Sequence, residues 1–236
     1  MSNIPFETLI KEKQVPAKER WYPRSVEHYK YAFKIDTTIK NSRALRSNLA
    51  YSMQYLEFLE KEFAELTVNS VIYIMIVKSY VITGMSILEG LFSNIIKSNG
   101  WWKMSELESL GITKANETIF AGKKIIVQTE LLQKVRPYPL QMNLDDLIKI
   151  LSKHHEALKV DHLVYPALKR LKNLRNRIHI QKAECDTDHD FNAFDFSIKK
   201  EMGAILYEIL TSHIVTDCPH NFDFLKINTL DEYTHS

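Results

Sequence analysis

Glycine and proline are scarce, six and seven in 236 residues. So few turn formers argue against a barrel or sandwich of many short strands and favour long helices. Cysteine is scarcer still. Cys185 and Cys218 have neither metal-ligand spacing nor the numbers for a disulfide framework, so a reducing, cytoplasmic setting is expected. Neither sign of charge dominates: the net charge of +2 neither demands nor excludes nucleic acid, because a local basic patch would suffice. The opening MSNIPFETLIKEK has no secretory pattern. No phosphate loop, nucleophile elbow or dinucleotide fingerprint occurs. Apolar residues are plentiful instead, 45% of the chain against 25% charged, enough to bury the core of one globular domain.

Those apolar residues recur with helical spacing. Residues 1–24 are polar and irregular and read as an N-terminal arm; periodicity starts near Ser25. Leu45, Leu49, Met53, Leu56, Leu59, Phe63 and Leu66 then mark one face of a long amphipathic helix. Thr67-Val68-Asn69-Ser70 supplies N-cap residues for a second, apolar nearly all round, which stops at Asn99-Gly100. Its run from Val71 to Leu88 approaches membrane-spanning length, but Lys78, Ser79, Tyr80, Thr83 and Ser86 interrupt it. We read it as a buried core helix and expect no membrane partner. Two long helices joined by so short a link should pack antiparallel.

Residues 101–143 are less regular. They hold Trp101-Trp102, a short helix opening at Ser105, and Lys123-Lys124-Ile125-Ile126-Val127, which suits strand or helix; Pro137 and Pro139 close the region. It reads as an insertion or cap. Asn143 caps a helix from Leu144 to about His155, and another starts near Asp161, with Pro166 in its first turn or so, and ends around Ile180. The loop CDTDHDFNAFDF precedes a last strong helix, from about Phe194 or Asp195 to Ile214. The tail, residues 217–236, is polar and expected to pack loosely. The fold class expected is therefore all-α: a helical domain over residues 25–216, with two long antiparallel helices, two or more shorter ones and the segment at 101–143 inserted.

The helix that ends in LKNLRNRIHI holds the most pointed pattern. With Leu171 at the centre of a helical wheel, Val164, Ala167, Leu168, Leu174 and Ile178 fall within about 60° of it, an apolar stripe. Arg175 falls about 40° and His179 about 80° from that centre, side by side on its flank. A guanidinium on an apolar flank needs a partner, because an unpaired buried charge is costly. Arg and His one turn apart are also a minimal kit for phosphodiester cleavage, one holding phosphate and the other moving a proton near neutral pH. The bland alternative is an intramolecular pair of this flank with Glu89 or another acid.

LRNRIHI, the acidic loop and the amphipathic helix FDFSIKKEMGAILYEIL resemble the HEPN superfamily, as found in bacterial defence and toxin–antitoxin loci. Glu89-Gly90-Leu91-Phe92-Ser93-Asn94 is similar to the Glu-then-Asn pattern of the second long helix in such proteins. The likeness covers roughly residues 25–98 and 144–214. It implies metal-independent RNA cleavage without a cofactor: His179 as general acid or base, Arg175 on the charged phosphorane, Asn176 orienting either, and Arg177 and Lys182 on the RNA backbone. Glu89 is a supporting residue. The family's usual spacing puts four to six residues between Arg and His; here three intervene. The resemblance also implies a homodimer with a composite site, and an antitoxin or defence-system partner. The competing implications are a non-catalytic dimerisation or partner-binding module, and a bundle that binds a nucleotide without turnover.

Other patterns carry less. His154, His155 and His162 do not share one face with a completing Cys or acid, so no metal site is expected. Asp186-x-Asp188-x-Asp190-x-Asn192 mimics the opening of a calcium loop, but Phe191 stands where glycine is required and Ser197 where glutamate is. Capping and a solvated acidic loop account for it better. Trp101-Trp102 is read as packing rather than base stacking, and Lys123-Lys124 and Lys199-Lys200 as solvated faces.

Overall fold

The computed structural model describes residues 21–113, 115–178 and 189–226. A short helix, Val26–Ala32 (α1), leads into the two long helices, which form as expected: Ser42–Glu65 (α2) and Ser70–Ser98 (α3). Ser25 caps α1 and Asn69 caps α3, each side chain accepting a backbone N–H of the first turn. Gly100, at φ 70°, ends α3: its N–H bonds the carbonyl of Lys97, and the Trp101 N–H reaches that of Ile96. That pair of bonds is a Schellman ending.

The helices run antiparallel. Gly90, late in α3, lies under Leu45 and Leu49 from early α2, while Phe63, late in α2, meets Tyr73 and Tyr80 of early α3 at 5.5 and 5.7 Å. α3 is the centre of the body, in contact with α2 and with Leu144–Lys153 (α4), Val164–Arg175 (α6) and Phe196–Leu210 (α8). Half of its most apolar stretch is buried among them, although its length and composition would also suit a membrane span. His155–Leu158 (α5) and Asp190–Ala193 (α7) are single turns.

The all-α expectation is corrected. Residues 104–139 form four strands, Met104–Ile112 (β1), Asn116–Phe120 (β2), Lys123–Val127 (β3) and Glu130–Pro139 (β4). β1 pairs antiparallel with β4 and β2 with β3, so two hairpin layers continue one into the other. The molecule is mixed α and β. The short helix expected at Ser105 is the start of β1, where Leu107 and Leu110 fall three apart and the period-two alternation of a half-buried strand is absent. Ala121 and Gly122 both take positive φ, 45° and 75°, between β2 and β3, as a two-residue primed hairpin turn requires. Ile125, Ile126 and Val127 settle as strand, which β-branched side chains favour.

The C-terminal end differs as well. Loose packing is expected from Asp217 onward, yet Pro219–Leu225 winds into a 3-10 turn that buries Phe222 and Leu225. Phe222 lies 5.6 Å from Phe33, so a polar-looking segment donates two core residues. At the N-terminal side, the Arg24 N–H and the Tyr29 hydroxyl both donate to Glu57 of α2.

Candidate functional site

α6 carries much of its stripe as the wheel places it, with Val164, Leu168 and Leu171 buried and Ala167 and Leu174 partly so; Tyr165, off that stripe, is buried too. Pro166 is third in the helix, where its missing N–H is not needed. The α-helix stops at Arg175, short of the Ile180 expected, and Asn176–Ile178 continue as 3-10. The tighter winding, about three residues per turn, rotates Arg177 away from its position on an α-helical wheel.

Arg175 donates from Nη2 to Glu89 Oε2 at 2.9 Å, and about a third of each side chain stays exposed (32% and 34%). At that exposure the pair is worth little stability, of the order of 0–1 kcal/mol, and its effect is to aim the guanidinium. Asn176 is half-buried at the end of α6, its N–H on the carbonyls of Lys172 and Leu174. The structure therefore brings together Arg175, Asn176 and Glu89. His179 and Lys182 lie outside the described residues.

Arg177, expected to contact an RNA backbone, is 19% exposed and turns toward α7, its Nε 3.7 Å from Asp190. Asp190 also receives Lys78 Nζ, at 2.7 Å, from the middle of α3. One carboxylate thus sits between two cations and holds the chain after the motif against the core. In the sequence Lys78 reads only as a break in an apolar run. A lone cation in such a run signals an acidic partner without saying which, and the local pattern presents Asp190 as capping or solvated loop.

Two further cations of α6 are engaged too. Lys172 donates to Asp145 at 2.7 Å, and Arg170 pairs with Glu201. Hydrogen bonds from Lys149 and then Lys172 hold the Asp145 carboxyl down at about 2. Trp101 stacks on His154 at 4.1 Å, and Trp102 lies beneath the Lys97 ammonium with its Nε1 donating to the Leu140 carbonyl. Both tryptophans are used in packing. His155 and His162 touch edge to face, and among the described residues no three His, Cys, Asp or Glu side chains gather as a metal site would need. No family model, curated protein or solved structure matches the chain.

Proposed function

We propose that this chain is a HEPN-like protein acting on RNA in the cytoplasm, a metal-independent endoribonuclease of a toxin–antitoxin or antiphage defence system that works as a homodimer. The setting of Arg175 carries the reading: a partly exposed guanidinium at the end of α6, aimed by Glu89, with Asn176 beside it. In this role Arg175 meets the charge that develops on phosphate, His179 moves the proton of the 2′-OH or of the leaving 5′-oxygen, and Asn176 orients one of them. Lys182 contacts the RNA backbone, and Arg177, turned toward Asp190, adds positive potential. The reaction needs the 2′-OH, so DNA is left intact.

The test is cleavage of mixed cellular RNA in EDTA by wild type, Arg175→Ala and His179→Ala, each with a matching circular dichroism spectrum. Cleavage by wild type that falls about a hundredfold or more in both variants is expected. The same 2.9 Å pair favours a second reading, because Glu89 already satisfies Arg175 within one subunit. On that reading the end of α6 is a non-catalytic dimer or partner surface. Absence of cleavage by wild type, with or without added divalent metal, decides for it.

A further inference from the structure

About 140° round α3 from Glu89, on a face that the proposed RNA site does not use, lies Asn94. It lines a cavity of about 370 Å³ between α3, the start of α2 and the segment that joins α1 to α2. Arg46, Asp36, Ile35 and Ser98 share the lining.

Two donors there have no acceptor. Asn94 is 3% exposed, and its Nδ2 is buried without a hydrogen-bond partner. The amide cannot gain one by flipping, because its Oδ1 already accepts the Asp36 N–H at 3.2 Å. Arg46 Nε is likewise buried and unpartnered, while its Nη2 donates to the Ile35 carbonyl at 3.2 Å. Arg46 has no carboxylate within ion-pairing distance among the described residues.

The neighbouring charges are already occupied. The Asp36 carboxylate turns to Thr38, accepting its N–H at 2.9 Å and its hydroxyl at 2.7 Å, and those bonds hold it below the usual carboxylate range. The Lys34 ammonium is held by Asp217 at 2.6 Å and by the His213 carbonyl at 2.7 Å. That leaves one uncompensated cation beside one orphaned amide donor. Native interiors rarely leave such buried donors unsatisfied, and an oxyanion is the acceptor whose chemistry suits a guanidinium.

We infer that this cavity binds a small metabolite through an oxyanion, its oxygens accepting from Arg46 Nε and Asn94 Nδ2. The volume falls in the range of ligand pockets, above what a bare phosphate fills, so the rest of the molecule extends along Ile35 and Ser98. Small side-chain movements on binding bring the two nitrogens onto the oxygens. Phosphate ester and carboxylate share this chemistry.

Calorimetric titration of the full chain with inorganic phosphate, AMP and succinate distinguishes the sources. Saturable binding of at least one probe is expected, weakened about tenfold or more in Asn94→Asp, which keeps the acceptor for the Asp36 N–H and replaces the donor by negative charge. Arg46→Gln should weaken it similarly. The Asn94 side-chain amide resonance of the wild-type protein should shift with the same saturation curve, a readout that needs no variant to fold. No heat and no shift with any probe at millimolar concentration would mean that water takes both donors, and would overturn the inference. So would binding that both variants retain. RNA cleavage does not enter any of these outcomes, so the cavity and the α6 site succeed or fail separately.

Discussion

At the scale of single residues, Lys78 is the most constrained charge among the described residues. Its side chain is 9% exposed, and its ammonium depends on Asp190, which is 30% exposed. Removing the acid leaves a cation enclosed by α3 and its neighbours; removing the lysine leaves a carboxylate that water and Arg177 can still reach. The two losses are therefore unequal. Asp190→Asn should cost about 2 kcal/mol, less than a fully buried pair would because Asp190 is partly solvated. Lys78→Met should cost less, and the double variant should recover most of what Asp190→Asn loses. Urea unfolding of the four proteins as a double-mutant cycle measures the coupling, and losses that simply add would show that the pair contributes nothing. The cycle also bears on the motif, since Asp190 draws Arg177 inward from the middle of the 3-10 turn.

At the scale of elements, α4 and α6 are stapled by Asp145, which accepts from Lys149 on its own helix and Lys172 on the other. Its carboxyl is held at about 2 against an ordinary 3.8. A group whose folded value is depressed contributes stability that is fully present above the unfolded value and is lost as pH falls through the folded one. The difference in stability between wild type and Asp145→Asn should therefore be constant above about pH 5 and shrink toward nothing near pH 2. Denaturant unfolding at a series of pH values checks this, and a difference that persists at pH 2 would locate the effect in packing instead of charge. The helices α2, α3 and α4 were legible in the sequence because their information is local: Leu45 to Leu66 in one stripe, Asn69 and Asn143 as caps, Asn99-Gly100 as a stop. The strands were not. Both faces of 104–139 are solvated, so no buried face disciplines the alternation, and irregularities in the β1–β4 register at Ser105/Leu107 and Ser109/Gly111 break the period. At the candidate site, the flank position of Arg175 could be read from periodicity, but the inward turn of Arg177 could not, because it comes from the change to 3-10 winding. The Lys78–Asp190 bond joins positions 112 apart, beyond any local pattern.

At the scale of the whole molecule, the chain is a helical body with a separate β ribbon. None of the described residues within 104–139 belongs to the hydrophobic core, against which Trp101, Trp102 and Met142 pack at the root. The root itself is well fixed: the Leu140 N–H donates to the Lys103 carbonyl at 2.9 Å, and Lys103 pairs with Asp146 of α4 at 2.7 Å. Beyond it Leu107, Leu110, Ile119, Phe120 and Ile126 stand exposed on a two-stranded ribbon, a form only marginally stable by itself and a liability for edge association. Because residues 103 and 140 are already hydrogen-bonded neighbours, replacing 104–139 by a short Gly-Ser turn should close without strain. The excised protein should keep its helical circular dichroism, melt within about 5 °C of the full chain and stay soluble at higher concentration. A collapse of the melting transition would show that the ribbon holds the body together. An unchanged transition would show that the body owes this 36-residue span neither core nor stability.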